Sequence, residues 1–160
     1  MSEIIESIIQ NNQEVWSSTS ELGDFGENAA ATFLVKNGFR LIASNFKIPI
    51  GRNRKGVAVT GELDLIAFEN DVLCFIEVKT RSSDTFNSPL TAVDHRKQRQ
   101  ITRTARAYRK TFNINGVSFR YDVVSVLPNE RKAPKIKLTR EFWTEAKFKK
   151  NFWLGDPLYL

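Results

Sequence analysis

Cysteine, histidine and long apolar runs are scarce in this chain, and each scarcity removes a class of chemistry. Cys74 is the only cysteine among 160 residues. No disulfide and no cysteine-based zinc site can therefore form within one chain. Its neighbours Leu73 and Phe75 are apolar, which predicts a buried thiol in a reducing compartment. His95 is the only histidine, so a histidine-based metal cluster is excluded and His95 is expected at the surface. No stretch approaches the roughly 20 apolar residues of a membrane span. The start, Met1-Ser2-Glu3-Ile4-Ile5-Glu6, has neither the basic region nor the continuous apolar core of a signal peptide. The expectation is a cytoplasmic protein with no membrane partner. Acid is scarcer than base, with 18 Asp and Glu against 24 Lys and Arg and a net charge of +6. That balance fits a polyanionic partner such as nucleic acid.

What is present suits one domain with a hydrophobic core and no internal repeat. Residues 1–20 read as an N-terminal extension: Ile4, Ile5, Ile8 and Ile9 have helical spacing, but polar runs interrupt it. Residues 21–140 read as the domain proper, and 141–160 as an aromatic C-terminal segment packed on it or extending it. A helix is expected from about Ser20 to Asn37, with Gly38 as its left-handed cap. Glu27 lies one turn before Ala30 and Ala31, at the border of the inward face. A first strand is expected over about Arg40 to Phe46, followed by a glycine-bounded basic loop holding Arg52, Arg54 and Lys55. Gly61 to Phe68 and Val72 to Thr80 read as an antiparallel hairpin across Glu69-Asn70-Asp71. Ser88-Pro89 reads as the start of a helix that runs to about Phe112. Further strands are expected at Val117 to Leu127 and, at an edge, Pro134 to Leu138.

The hairpin carries acid where core strands carry none. Alternation places Leu63 and Leu65 on one face and Glu62 and Asp64 on the other. On the partner strand Ile76 and Val78 share a face, and Phe75, Glu77 and Lys79 share the other. Asp64, Glu77 and Lys79 can then converge, provided the register brings Asp64 to Glu77. Two carboxylates beside an ammonium suit a metal-dependent phosphodiesterase. The same alternation also describes an ordinary sheet with a solvated polar face.

In the helix after the hairpin, Leu90, Val93, Ile101, Thr104, Ala105, Tyr108 and Phe112 fall in one sector. Arg96, Arg99, Arg103, Arg106 and Lys110 form a ridge on the opposite side. Such a ridge is either a solvated face or a set of phosphate contacts. Lys97 falls within the apolar sector, where an ammonium needs an anion or an escape to the helix edge. The Asp64/Glu77 pair, or a bound phosphate, would be that anion.

Gly26-Glu27-Asn28-Ala29-Ala30, Gly38-Phe39, Gly61-Glu62-Leu63-Asp64-Leu65-Ile66, Phe75-Ile76-Glu77-Val78-Lys79-Thr80-Arg81, Lys97 and Tyr121-Asp122-Val123-Val124 together resemble the YraN-like family of predicted nucleases. That family lies in the restriction-endonuclease-like PD-(D/E)xK superfamily, near the archaeal Holliday junction resolvases. The resemblance spans about residues 22–127; Leu63 stands where the superfamily name has proline. It implies an α/β fold, with a central mixed β-sheet of four to five strands flanked by helices. It implies a Mg²⁺-dependent DNA endonuclease, with Mn²⁺ as a substitute, in which Asp64 and Glu77 ligate the metal. The Val78 carbonyl and Glu27 would be further ligands, and Lys79 would position the attacking water. Arg81, Lys97, Arg96, Arg99, Arg103, Arg52, Arg54 and Lys55 are the expected contacts to DNA, whose cleavage on two strands would suit a homodimer. A non-catalytic nucleic-acid-binding protein on the same fold is the alternative, and a protein-interaction domain a third.

Overall fold

The computed structural model describes residues 25–80, 93–129 and 131–148. The expected N-terminal extension, Arg81, Ser88, Pro89, Leu90 and residues 149–160 of the C-terminal segment lie outside them. Among the described residues the chain order is α1 (Phe25–Lys36), β1 (Phe39–Arg52), β2 (Ala58–Glu69), β3 (Val72–Thr80), α2 (His95–Thr111), β4 (Phe119–Leu127), β5 (Lys135–Trp143) and a 3₁₀ turn at Glu145–Phe148. The five strands lie side by side in chain order. Only β3 and β4 are parallel, and α2 lies in the connection between them. The expected α/β architecture, a mixed sheet flanked by helices, is the one observed.

Each sheet face meets one helix. Ala30, Ala31 and Leu34 of α1 pack on Leu65, Ala67, Cys74, Ile76 and Val124. Cys74 is buried there, as its neighbours predict. Ile101, Ala105 and Tyr108 of α2 pack on the opposite face, against Ile66, Phe68, Phe75 and Tyr121. Tyr108 sits edge-on to both Phe46 and Phe75, with ring centroids 5.1 and 5.8 Å apart.

Four expectations change. First, the described helix α2 begins at His95 rather than at Ser88-Pro89. Asp94 has extended backbone (ψ 167°), and its carboxylate accepts the Lys97 N–H at 2.8 Å. That is N-capping, which satisfies a first-turn donor. His95 is exposed, as expected. Second, β1 runs to Arg52, well beyond Phe46. Residues past Phe46 pair with β2 as far as Arg52 opposite Ala58, so the basic loop is the tip of a β-hairpin. Asn53 closes that tip by accepting the N–H groups of Lys55 and Val57 at 2.9 and 3.0 Å. Pro49 is tolerated because β1 is an edge strand. Third, β5 runs on to Trp143, past the expected end at Leu138.

Fourth, Leu63 and Leu65 do not share a face. Leu65 joins the core under α1, and Leu63 joins the core under α2. The reason lies at Asp64. The β2–β3 ladder ends at Leu65 opposite Ile76. The preceding part of β2 runs on beside β1 alone, as a two-stranded ribbon. Asn45, across from this point, has a left-handed φ of 47°. A positive φ within a strand marks a local twist, and there the strict period of two fails.

Candidate active site

Asp64 and Glu77 face each other where β2 leaves β3, one residue beyond the last β2–β3 pair. The Asp64 carboxylate accepts the Val78 N–H at 2.8 Å, a backbone group freed by the ending of the ladder. Burial first, and the neighbouring Glu77 charge second, raise the Asp64 carboxyl from its ordinary value of 3.8 to about 7. Two carboxylates so close resist joint ionisation unless a cation joins them.

Glu77 is only 3 % exposed and is held by two ammoniums. Lys79 Nζ lies 2.9 Å and Lys97 Nζ 3.4 Å from its Oε1. Lys79 comes from the same strand and Lys97 from the first turn of α2. Lys97 therefore resolves its place in an apolar sector by pairing with the buried acid, one of the two partners expected for it. The register condition is met: Asp64, Glu77, Lys79 and Lys97 gather at one point. Glu62, which alternation grouped with Asp64, instead faces Lys47 across the ribbon at 4.0 Å.

Glu27 is half-buried in the first turn of α1, the layer that covers the other face of the sheet. Among the described residues no three His, Cys, Asp or Glu side chains gather into a set able to hold a metal ion. The donors that do converge are the two carboxylates. Mg²⁺ is commonly bound through one or two carboxylates plus water and substrate phosphate, so the pair fits that ion.

The ridge on α2 divides into two parts. Arg106, together with Arg109 from outside the ridge, pairs with Glu145, which also accepts the Tyr121 hydroxyl at 2.7 Å. Arg96, Arg99 and Arg103 instead line a cavity of about 400 Å³ together with Arg52 from the ribbon. Arg54 and Lys55 stand exposed at the ribbon tip.

Other acids have structural work that the sequence reading did not anticipate. Asp122, fully buried in β4, binds the Arg120 guanidinium at 2.9 Å and accepts the Glu141 N–H at 2.9 Å. Glu141 has φ 51° and sits where the β4–β5 register shifts, so Asp122 stabilises an irregularity in the neighbouring strand. Glu69 joins Arg120 to Arg140. Arg120 is a local partner of Asp122, two residues away on β4, but the Glu141 N–H and the two arginines on Glu69 come from other strands and leave no local signal.

Comparison with known proteins matches residues 26–126 to the family described as "Uncharacterised protein family UPF0102". A UPF0102 protein of Clostridium acetobutylicum is 38 % identical over 109 residues, covering 68 % of this chain and 81 % of that protein. One from Chlorobium phaeobacteroides is 38 % identical over 125 residues, covering 78 % and 89 %. One from Prosthecochloris aestuarii is 36 % identical over 131 residues, covering 78 % and 95 %. The matched span runs from the first turn of α1 to the end of β4 and includes Glu27, Asp64, Glu77, Lys79 and Lys97. This chain belongs to the UPF0102 family, the YraN-like group that its motifs resemble.

Proposed function

We propose that this protein is a metal-dependent DNA endonuclease with a cytoplasmic site of action. One observation carries the reading: Asp64 and Glu77 meet at the point where β2 leaves β3, with Lys79 and Lys97 on the same carboxylate. Solvation alone gives no reason to bury an acid between a second acid and two ammoniums, and such arrangements are common at reactive sites. Asp64 and Glu77 would hold the cation, Mg²⁺ or Mn²⁺. When bound, it would supply Lewis-acid stabilisation of the charge developing on the phosphate. Lys79 would orient the attacking water, and Lys97 would hold the phosphate under attack against the site. Val78 would add its carbonyl as a further ligand, while Glu27, in the layer on the other face, would take no ligand role. Arg81, Arg54 and Lys55 would contact flanking backbone. Such contacts position a duplex without reading bases, so weak sequence preference is expected, with selection by DNA structure.

The test is cleavage of supercoiled, flapped and four-way DNA with Mg²⁺ or Mn²⁺. Glu77→Ala should lower the rate by at least about 100-fold, the scale of losing a main electrostatic contributor. Equal behaviour of wild type and Glu77→Ala on all three substrates would sink the catalytic reading. A non-catalytic nucleic-acid-binding role is the second reading, favoured by the two lysines that already satisfy Glu77. Calorimetry with Ca²⁺ separates the two: no heat at millimolar cation supports the binding module.

A further inference from the structure

The cleft between the β1–β2 ribbon and α2 is walled by Arg52, Arg96, Arg99 and Arg103, and floored by Ile50 and Val59. No carboxylate lines it among the described residues. Four arginines elsewhere are held differently. Arg106, Arg109, Arg120 and Arg140 each pair with Glu145, Glu69 or Asp122. None of the four cleft arginines joins an ion pair among the described residues.

Two of the four are fixed by main chain instead, which leaves their charge intact. Arg103 donates to the Ile50 carbonyl. Arg52 donates to the Gly56 carbonyl at 2.7 Å across the ribbon tip. The backbone is shaped for this: a Cβ at Gly51 would lie 2.9 Å from the Arg103 guanidinium, and Gly51 has a φ of +119°. Four like charges around one cavity give it a positive potential that an anion among them would offset. Arginine suits a phosphate, since its planar fork donates two parallel hydrogen bonds.

We infer that this cleft is a seat for one phosphate group of a nucleic-acid strand, separate from the phosphate that Asp64 and Glu77 would act on. The inference rests on the nuclease reading for its substrate class. Arg103 and Lys97 are six residues apart on α2, about 9 Å of helix rise. A strand advancing about 3.4 Å per nucleotide would reach both within a few steps. The seat therefore sets the register of a strand relative to the catalytic carboxylates. The phosphate comes from one of two sources: an internal phosphodiester or a terminal monophosphate.

The experiment uses the full chain in EDTA, so that cleavage plays no part. Binding of duplex and single-stranded oligonucleotides is followed by fluorescence anisotropy across a salt series. The double variant Arg96→Gln/Arg99→Gln is compared with Lys135→Gln/Lys137→Gln, an equal charge change at exposed positions on β5. The seat variant should bind at least about tenfold more weakly, with a salt slope shallower by about one, the share of a single neutralised phosphate. The control should change less than about twofold. Equal weakening of both variants would overturn the seat in favour of diffuse charge. Inorganic phosphate, against chloride at equal ionic strength, should raise the Tm of wild type and the control but not of the seat variant. An equal rise in all three would also overturn it. A 5′-phosphorylated strand bound about tenfold better than its 5′-hydroxyl counterpart assigns the seat to an end; equal binding assigns it to internal phosphates. Either result upholds the seat. Wild type that fails to cut with Mg²⁺ while the seat variant alone loses binding removes the nuclease reading and leaves the seat. Cleavage with undiminished binding by the seat variant does the reverse.

Discussion

At the scale of the residue, Asp64 is held in a state its own charge disfavours. Its carboxyl is raised from 3.8 to about 7 by burial first and by Glu77 second. The folded chain therefore retains a proton that the unfolded chain releases. Between those two values the cation-free protein loses stability as pH rises, because the folded state binds more protons than the unfolded one. Asp64→Asn keeps an acceptor for the Val78 N–H and removes the charge. In chelator near pH 8 the variant should be more stable than wild type, by on the order of 1–3 kcal/mol. The gap should close towards pH 4, where both carry a neutral side chain. Urea unfolding at both pH values measures this. A variant no more stable at the higher pH would mean that Asp64 is not pressed against Glu77. The acids themselves were legible in the sequence, because charge within an apolar strand breaks a strong pattern. That Lys97 would choose Glu77 was legible only as one of two options. Helical spacing gives a direction but not the partner across the gap.

At the scale of the element, β2 serves two neighbours at once, and Gly61 shows how tightly. A Cβ there would lie 2.1 Å from the Thr104 hydroxyl and 2.9 Å from its Cβ. Thr104 is fully buried, and its hydroxyl donates to the Gln100 carbonyl at 2.8 Å. The glycine that opens the acid-bearing motif is thus explained by the close approach of α2, the helix that brings Lys97 to Glu77 and Arg103 to the ribbon. Gly61→Ala should destabilise the fold by about 1–3 kcal/mol, the usual penalty for overpacking. Thr104→Ala in the same chain should recover part of that loss, since only the contact with the Cβ remains. Thermal unfolding of the single and double variants decides it; no coupling between the two positions would place the strain elsewhere. The sequence showed the glycine and the buried helix face but not their contact, which depends on the distance between helix and sheet. The ribbon was hidden for a related reason. A loop of glycine, arginine and lysine does not reveal that its flanks are paired strands: Phe46, Ile48 and Ile50 alternate with Lys47 and Pro49, but a proline inside the run argues against a strand.

At the scale of the whole molecule, the Asp64–Glu77 pair occupies the end of the β2–β3 hairpin away from its turn, and a second charged network ties down the turn itself. Glu69, the last residue of β2, binds Arg120 of β4 and Arg140 of β5. It thereby links the first hairpin to the strands beyond the parallel β3–β4 junction. The strands, the β2–β3 hairpin and the buried helix faces were legible from apolar periodicity, whereas the order of the five strands was not. This network was not, since its members lie on three strands far apart in sequence. Hydrogen bonds from Arg140, with Arg120 helping, hold the Glu69 carboxyl down from 4.5 to about 2. A depressed acid stabilises the fold above its unfolded value and ceases to do so as pH falls through its folded value. The contribution of Glu69 is thus complete above about pH 4.5 and lost towards pH 2. Asp122 acts in the opposite sense, because burial pushes its carboxyl up, so it adds nothing to this acid loss. Glu69→Gln should cost roughly 1–2 kcal/mol at neutral pH, the scale of a partly exposed charged hydrogen bond. It should also flatten the fall in stability between about pH 4.5 and 2. Denaturant midpoints measured across that window test both parts. A Glu69→Gln chain with the same acid slope as wild type would assign the acid limit to other carboxylates and leave Glu69 as a surface contact.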